Sequence, residues 1–347
     1  MIKSTYYQDL TKMNTFRMKV KAKCFIEYDS IADLVDIEFE ELTRPILHIG
    51  GGSNLLFTED FKGTVLHSKI NFIEILDECP GPEVLVSVGS GVVFDDFCDW
   101  AAKEGLWGVE NLSYIPGEVG ASAVQNIGAY GVEVKDVIHR VYCYDTLEEE
   151  FVSFGVDECE YGYRDSIFKD PEIKGRYIVT HVVFELSREP RPCLEYGHLK
   201  SAVEAVAASD TLTPALIRKV IIKTRKEKLP DPSVMGSAGS FFKNPVISLE
   251  HFQRIESAAK AEHGADYKVP HYDLPDGVKV PAAWMIEQCG WKGRRSGGAA
   301  VYEKQPLVIV NYTGEAYPEE IIGLERRIIA SVKDKFGVEL HPEVEHI

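Results

Sequence analysis

Glycine, small residues and amide side chains are concentrated in two segments of this 347-residue chain. The first is GGGSNLL at 50–56, and the second is IPGEVGASAVQNIGAYG at 115–131. Glycine lets peptide N–H groups approach a pyrophosphate without a Cβ in the way, and successive N–H groups form an anion-binding nest. A tight turn is the alternative for a single glycine pair. The longer segment has no apolar period of a strand or helix, so we expect the two to wall a dinucleotide pocket.

Three shorter motifs carry reactive side chains. In YGYRDSIFK at 161–169, Arg164 could grip a carboxylate through two N–H groups, or form a structural salt bridge with Asp165. In GSAGSFFKNP at 236–245, Ser240 lies on a glycine-flexed turn; it lacks the G-x-S-x-G context of a hydrolase nucleophile, and a plain turn former is the alternative. In HPEVEHI at 341–347, Glu343 follows a proline, although a glutamate in such a position is normally solvated.

Basic residues are concentrated in the second half of a chain whose formal net charge is −17. This charge repels polyanions, so we expect no nucleic-acid partner. We expect Arg218, Lys219 and Lys226 to lie on a solvated helix face. Lys228 and Lys243 adjoin the serine motif and are therefore candidates for binding an anionic ligand.

The start of the chain lacks a basic segment followed by an apolar run, and no apolar stretch approaches the length of a membrane span. We therefore expect a cytoplasmic protein with no membrane partner. Seven cysteines are scattered without a Cys-x-x-Cys pair, which argues against a disulfide framework and against a metal site. They are residues 24, 79, 98, 143, 159, 193 and 289.

Hydrophobic periodicity predicts the elements that must position these motifs. Alternating valines at 84–88 predict a strand, and apolar residues at 94–101 predict a helix that ends by Gly105. The segment 176–186 is rich in β-branched residues and predicts another strand. Together these elements predict an α+β first half.

The second half begins, in this interpretation, near residue 200. Thr213 and Pro214 are predicted to start a helix. A strand at 307–311 precedes a long helix at 318–336 stopped by Gly337. The helix has one apolar stripe that we expect in the core, at Ile321, Leu324, Ile328 and Val332.

Taken together, the motifs resemble one enzyme family. GGGSNLL, PGEVGASAVQNIGAYG, YGYRDSIFK, EYG at 195–197, KLPDP, GSFFKNP, AAWMIEQCGWKG and PEV occur in this order in the UDP-N-acetylenolpyruvoylglucosamine reductases, also called UDP-N-acetylmuramate dehydrogenases. The resemblance runs from about residue 14 to the end of the chain. EYG and YGYR resemble the form of the family that closes a tyrosine loop over its substrate.

The resemblance implies an α+β fold with an FAD-binding module of the vanillyl-alcohol-oxidase/PCMH type, built of two α+β subdomains, plus a smaller α+β substrate-binding domain. We place the FAD-binding domain at 1–200 and the substrate-binding domain at 201–347, with the tail returning to the active site. The missing G-x-G-x-x-G after the first strand agrees with a flavin bound without a Rossmann fingerprint. Neither glycine-rich segment holds a His or Cys for a flavin linkage, so we expect FAD to be noncovalent.

The implied reaction is the reduction of UDP-N-acetylglucosamine enolpyruvate to UDP-N-acetylmuramate by NADPH, for peptidoglycan in the cell wall. The resemblance gives Ser240 the role of general acid, and it gives Arg164 and Glu343 the role of stabilising the enol form of the substrate carboxylate. The residues implied to bind the cofactor are Gly50, Gly51, Gly52, Ser53, Asn54, Ile115, Pro116, Gly117, Val119, Gly120, Ala121, Gln125, Asn126, Gly128, Ala129 and Tyr130. Those implied to bind the substrate are Tyr163, Tyr196, Arg225, Lys228, Asn244 and Gln288.

Some positions depart from the family pattern. Glu118 stands where the family often has a small hydroxyl residue, and an anion there would repel a pyrophosphate unless its side chain points away. His341, Glu345 and His346 also depart, which puts the anchoring of the tail in question.

We expect a monomer. An FAD oxidase of the same superfamily and a catalytically silent UDP-sugar sensor are the alternative functions.

Overall fold

A computed structural model of the protein describes residues 1–76, 81–207 and 211–347. The chain divides into two compact units. Unit 1 comprises Met1–Leu10, Val20–Gly52 and Asp60–Glu227, and unit 2 comprises Thr11–Lys19, Ser53–Glu59 and Lys228–Ile347. The assignment of FAD binding to 1–200 and of substrate binding to 201–347 stays a prediction.

The strands and helices follow in chain order. The strands are β1 (Lys3–Asp9), β2 (Lys21–Tyr28), β3 (Ile46–Ile49), β4 (Leu55–Leu56), β5 (Phe61–Ser68), β6 (Ile73–Ile75), β7 (Glu83–Gly89), β8 (Gly128–Ala129), β9 (Val132–Glu133), β10 (Ile138–Asp145), β11 (Glu150–Gly155), β12 (Tyr177–Ser187), β13 (Gly236–Ser240), β14 (Val246–Ile247), β15 (Tyr272–Leu274), β16 (Gly277–Lys279), β17 (Arg295–Ser296), β18 (Ala299–Val301), β19 (Val308–Asn311) and β20 (Glu345–His346). The α-helices are α1 (Ile31–Val35), α2 (Phe94–Lys103), α3 (Val119–Gln125), α4 (Leu199–Ala207), α5 (Pro214–Lys228), α6 (Leu249–His263), α7 (Ala282–Gln288) and α8 (Pro318–Phe336).

Unit 1 contains two main sheets. The first has the order β1-β2-β5-β3, in which β5 runs parallel to both β2 and β3. The second has the order β11-β10-β12-β7-β6 and is antiparallel throughout. The mixture of helices with parallel and antiparallel strands confirms the predicted α+β class.

A hydrophobic core on the second sheet sets the position of α2. Phe94 and Phe97 are buried and contact Phe184 of β12, with ring centroids 4.7 Å apart for Phe97 and Phe184. The predicted strand at 84–88 and the predicted helix at 94–101 are both confirmed, and Gly105 follows the helix with φ of 71°. The predicted strand at 176–186 is β12.

Unit 2 is built around the antiparallel sheet β13-β19-β18-β17 and helix α8. The stripe Ile321, Leu324, Ile328 and Val332 is buried, and α8 ends before Gly337, as the apolar pattern predicts. Among the described residues, no helix is long and apolar enough to span a membrane.

Two expectations about local structure were wrong. The second glycine-rich segment contains the helix α3 and the short hairpin β8-β9. The apolar residues of this segment are small and interspersed with glycine, so its hydrophobic periodicity is weak. Arg218 is buried rather than solvated, because its guanidinium donates to Asp95 and Asp99 of α2.

Candidate active site

In unit 1, Gly50 and Gly51 of the first glycine-rich segment pack directly against the second segment. A Cβ added to Gly50 would lie 3.0 Å from Ala121 Cβ, and one added to Gly51 would lie 3.3 Å from Gly117 Cα. A side chain at either position would therefore crowd the second segment and require a neighbour to move. This close approach leaves peptide groups rather than side chains at the surface of both loops.

Helix α3 is held in place by the turn that follows β7. Its first amides donate to this turn, Val119 N–H to Val92 O at 2.9 Å and Gly120 N–H to Ser90 O at 3.0 Å. A Cβ on Gly120 would lie 2.8 Å from Ser90 Cβ, so only glycine fits without movement. The predicted strand–helix unit thus positions the second loop.

Several predicted site residues adopt left-handed backbone conformations. Among the residues that the structure describes, Asn126, Tyr130 and Arg164 have φ of 46°, 50° and 56°, and Tyr114 beside the loop has φ of 60°. Such conformations are costly for residues with a Cβ and are often found at functional sites. Here they turn the chain around the peptide groups of the second loop.

Arg164 is oriented by main-chain carbonyls. Its Nη2 donates to Gly128 O at 2.6 Å and its Nη1 to Asn126 O at 3.3 Å. A Cβ on Gly128 would lie 2.8 Å from Nη1, so a side chain there would displace the guanidinium. Asp165 instead accepts a hydrogen bond from the Ser166 amide at 3.1 Å. The two carbonyl bonds fix the guanidinium as a preorganised donor beside the second loop.

A second arginine and three tyrosines lie in or beside the second loop. Arg225 Nε donates to Tyr114 O at 3.1 Å, and burial is the main cause that lowers its pKa, with the charge of Arg164 a smaller one. The rings of Tyr130 and Tyr196 meet edge to face with centroids 6.1 Å apart. Burial raises the pKa of Tyr130, while the charge of Arg225 opposes the rise. These groups form a cationic, tyrosine-lined cluster suited to an anionic ligand.

The other predicted residues of unit 1 have structural neighbours in the same region. Gln125 Oε1 accepts from Lys169 Nζ at 3.0 Å, and that ammonium also donates to Arg164 O at 2.9 Å. Ala129 pairs with Val132 in the hairpin β8-β9. Ile115 packs on the core below the loop, and the guanidinium of Arg164 lies 5.4 Å from the ring centre of Tyr163.

Ser240 lies in unit 2, at the end of β13. The strand departs from regular pairing with β19 between Ser237 and Ser240, where Gly239 has φ of 70°. The irregularity leaves Ser240 exposed, whereas Phe241 and Phe242 beyond it are fully buried. The predicted glycine-flexed turn is therefore an irregular strand end braced by two buried rings.

Glu343 is held in unit 2 on both sides of its peptide. Its N–H donates to Phe241 O at 2.8 Å, and its carbonyl accepts from Asn54 Nδ2 at 3.0 Å. The next residues form β20, which pairs in parallel with β4. Backbone pairing thus brings the segments of Ser240, Asn54 and Glu343 together and anchors the tail.

Two of the tail residues that depart from the family pattern also make contacts in unit 2. His346 Nε2 lies 3.2 Å from Glu325 Oε2 of α8, within ion-pair distance, and its ring lies 6.2 Å from that of Phe241. The carbonyl of His341 accepts from the Lys243 amide at 2.9 Å. The altered side chains therefore do not prevent the tail from docking in unit 2.

The remaining predicted substrate residues of unit 2 are dispersed among its elements. Asn244 Oδ1 accepts from the Ala282 amide at 2.9 Å at the start of α7, and Gln288 Oε1 lies 3.1 Å from His263 Nε2 at its end. Lys228 is exposed and is the last residue of α5. Gly52, Ser53 and Asn54 pass from unit 1 to unit 2 along the chain.

Sequence reasoning missed two residues that support the loops. Asn111 Nδ2 donates to the carbonyls of Tyr130 and Cys193, at 2.9 and 2.7 Å, and so ties the second loop to the segment before Tyr196. Lys169 ends the YGYRDSIFK motif, and its type alone did not indicate that it would hold the segment of Arg164 in place. Asn111 lies only four residues before Ile115, and its position beside the glycine-rich segment was the available signal. Cys79 lies outside the described residues.

Comparisons with known proteins agree with this geometry. Residues 22–150 match a family described as an FAD binding domain. Residues 231–347 match the C-terminal domain of UDP-N-acetylenolpyruvoylglucosamine reductase. A UDP-N-acetylenolpyruvoylglucosamine reductase of Bacteroides fragilis is 50% identical over 97% of this chain and 98% of its own, and one of Porphyromonas gingivalis is 44% identical over 97% of each.

A solved structure shows the same fold. The crystal structure of UDP-N-acetylenolpyruvylglucosamine reductase from Thermus caldophilus aligns with a TM-score of 0.67 at 22% sequence identity, over 100% of this chain and 98% of that one. The matched FAD binding domain and the reductase relatives define a flavoprotein oxidoreductase. The identities over nearly the full length go further: the chain belongs to the UDP-N-acetylenolpyruvoylglucosamine reductase family.

Proposed function

We propose that this protein catalyses the FAD-dependent reduction of UDP-N-acetylglucosamine enolpyruvate to UDP-N-acetylmuramate, with NADPH as hydride donor, in peptidoglycan synthesis. The observation that carries the proposal is the 50% identity to a UDP-N-acetylenolpyruvoylglucosamine reductase over nearly the whole length of both chains. The packed glycine loops and the preorganised arginine of unit 1 support it.

The residues present fit the cofactor. A Cβ would be tight at positions 50 and 51, at 3.0 and 3.3 Å from its nearest neighbour, and would clash at position 120, at 2.8 Å, as expected where backbone must line a phosphate site. We assign FAD binding to the two loops, at residues 50–54, 115–117, 119–121, 125–126 and 128–130. When bound, FAD accepts a hydride from NADPH and passes it to the enolpyruvyl double bond.

Arg164 and Glu343 are assigned to the substrate carboxylate. Hydride addition to the enolpyruvyl group pushes negative charge onto that carboxylate, so fixed donors that bind it more strongly as the charge develops lower the barrier. The two carbonyl bonds of Arg164 preorganise such a donor. Glu343 contributes if it holds or shares a proton, and the backbone bonds on either side of it hold its position.

Ser240 is assigned as the general acid that protonates the substrate carbon. A hydroxyl of ordinary acidity is a poor acid, so this role needs a neighbour that replaces the proton. The exposed serine at the irregular end of β13 is accessible to such a neighbour or to water. Tyr163, Tyr196, Arg225, Lys228, Asn244 and Gln288 are assigned to binding of the UDP-sugar.

We also propose where the protein acts, which partners it lacks and that it is a monomer. Both substrates are water-soluble nucleotides, which supports a cytoplasmic enzyme without a membrane partner. The formal charge of −17 supports the absence of a nucleic-acid partner. The monomeric state stays a prediction, which light scattering of the purified protein measures.

Absorbance spectroscopy without oxygen tests this function against its alternatives. The purified protein should be yellow, lose its flavin absorbance with NADPH and recover it on addition of UDP-N-acetylglucosamine enolpyruvate. Recovery only after oxygen is admitted would indicate an oxidase. A protein that binds the UDP-sugar but shows no flavin change would be a sensor.

A further inference from the structure

A cluster of titratable groups, buried except for the partly exposed Glu27, lies directly behind the first glycine loop. His67 of β5 is 3% exposed, and Glu118, which precedes α3, is 8% exposed. His67 Nε2 lies 3.0 Å from Glu118 Oε1, and His67 Nδ1 lies 3.3 Å from Glu27 Oε1 of β2. The imidazole is therefore held between two carboxylates.

This arrangement requires an additional proton. A neutral imidazole has one N–H donor and one lone pair, and an ionised carboxylate only accepts. With neutral His67, one of the two contacts would set a nitrogen lone pair against a carboxylate oxygen. Both contacts are satisfied when His67 is protonated, or when one carboxyl carries the proton instead. Buried carboxylates without such compensation are strongly unfavourable.

The neighbouring titratable groups do not replace His67 as the source of positive charge. Burial, together with a smaller effect of the charge of His67, lowers the pKa of His48 of β3 to about 4. Tyr28 of β2 lies 2.7 Å from His48 through its hydroxyl, and burial raises the pKa of Tyr28, so it remains uncharged. Lys3 of β1 stands opposite Glu27 in the strand register and is exposed.

Glu118 connects this cluster to the cofactor loop. Its side chain makes no hydrogen bond to the start of its own helix but turns toward His67. Its second carboxylate oxygen, Oε2, would lie 3.3 Å from a Cβ on Gly50. The residue that departs from the family pattern is thus a buried carboxyl group immediately behind a peptide assigned to the pyrophosphate of FAD.

We infer that His67 is a positioning residue for the cofactor: its protonated ring neutralises Glu118, and FAD binding by the first glycine loop is therefore coupled to a proton held by Glu27, His67 and Glu118. The inference rests on the FAD binding of the proposed function. When the proton is lost as pH rises, the buried carboxylate of Glu118 remains uncompensated close to an anionic ligand, whereas Glu27, with 24% of its side chain exposed, is partly screened by solvent. FAD should therefore bind tightly where the cluster is protonated and less tightly in alkaline solution.

Titration of the full-length apoprotein with FAD, followed by flavin fluorescence from pH 6.5 to 9.5, tests the inference without using turnover. The FAD Kd of the wild type should rise about tenfold across this range. Glu118→Gln keeps the shape of the side chain and removes its charge. The FAD Kd of this variant should therefore change by less than about threefold across the same pH range. His139→Gln is the matched control, because His139 lies 3.7 Å from Glu185 in an exposed His–Glu pair of the same unit. It should retain the wild-type pH dependence.

A double-mutant cycle separates charge compensation from packing. His67→Gln cannot carry a proton, so at pH 7 it should weaken FAD binding about tenfold. Adding Glu118→Gln to it should restore the affinity to within about threefold of the wild type, whereas a packing defect would not be repaired by a second substitution. Any of three results would overturn the inference alone. The first is a wild-type FAD Kd that does not depend on pH, and the second is a Glu118→Gln variant whose Kd depends on pH as the wild type's does. The third is a double variant in which FAD affinity is not restored. Failure of the wild type to bind FAD would overturn both the inference and the proposed function.

Discussion

At the scale of single residues, Ser240 and Arg164 differ in how the fold treats them. Arg164 is fixed by the carbonyls of Asn126 and Gly128. Ser240 is exposed at a strand end whose neighbours are buried. A fixed cation suits stabilisation of developing charge, and an accessible hydroxyl suits proton delivery. We therefore expect the two residues to have separable kinetic roles.

Substituting Ser240→Ala should affect only the second half-reaction. Hydride transfer from NADPH to the flavin needs no proton donor at the enolpyruvyl carbon, whereas completion of the product does. Flavin reduction should stay nearly intact, and flavin reoxidation by the substrate should slow about 100-fold or more, the usual range for a lost general acid. Stopped-flow absorbance follows each half separately. Equal slowing of both halves would assign the serine to positioning, and no slowing would make it structural.

Substituting Lys228→Ala should raise the KM for the UDP-sugar. If Lys228 makes a charge-assisted contact to the diphosphate, its loss should raise KM roughly tenfold or more, above the effect of a screened surface charge. Lys219→Ala on the same helix is the control, since both lysines are exposed. Steady-state kinetics at fixed salt measures the difference. Equal KM values for the two variants would indicate that Lys228 is a solvated residue at the end of α5 that does not contact the diphosphate.

At the scale of elements, the position of α3 against the turn after β7 determines the shape of the second loop. Gly120→Val places side-chain atoms where even a Cβ would lie 2.8 Å from Ser90 Cβ, so α3 must shift. FAD should bind at least tenfold more weakly, because its loop moves with the helix. Fluorescence titration measures the change.

Gly323→Ala on α8 is the control for this substitution. A Cβ on Gly323 would meet nothing within 4 Å, so alanine should stabilise the helix by about 0.5–1 kcal/mol and leave FAD affinity unchanged. If Gly120→Val bound FAD as tightly as Gly323→Ala does, α3 would have no part in shaping the cofactor loop.

A bidentate ion pair joins the end of β10 to the start of β12. Arg176 Nε and Nη2 donate to Asp145 at 2.9 and 2.6 Å, and these hydrogen bonds are the main cause that lowers the pKa of Asp145. A depressed carboxyl pKa stabilises the fold above the pKa of the unfolded chain, and this stabilisation is lost as pH falls through the folded pKa. Asp145→Asn should therefore lower the unfolding free energy by about 2 kcal/mol at pH 7.

The pH profile distinguishes this ion pair from a packing effect. The difference in unfolding free energy between Asp145→Asn and the wild type should become smaller below about pH 4, where the carboxyl of the unfolded chain is itself protonated. Urea unfolding at pH 7 and at acid pH measures it. A gap of constant size at both pH values would show that the charge of Asp145 does not contribute.

At the scale of the whole molecule, local patterns in the sequence predicted elements better than they predicted contacts between distant residues. The buried stripe of α8 and the alternation in β7 each show their period in a few neighbouring residues, and both were predicted correctly. Helix α3 was missed because its glycine and alanine give little contrast between its faces. The close packing of the two loops follows from their glycine composition, since a residue without a Cβ permits it.

Charge pairing could not be derived in the same way. Arg218 Nη1 and Asp95 are 123 positions apart, and His67 and Glu118 are 51 apart, so only the fold brings them together. Sequence reasoning therefore placed Arg218 in solvent and could not say what neutralises Glu118. The residues that the motifs assign to the site, and the catalytic roles of Arg164, Ser240 and Glu343, stay predictions until the variants are measured.

Product analysis of an oxygen-free reaction tests the central claim most directly. Purified protein is mixed with NADPH and UDP-N-acetylglucosamine enolpyruvate, and the nucleotide products are separated and identified by mass spectrometry. The account predicts one UDP-N-acetylmuramate, heavier than the substrate by two hydrogens, for each NADPH oxidised. NADPH oxidation that requires oxygen, or that leaves the enolpyruvyl nucleotide unchanged, would contradict it.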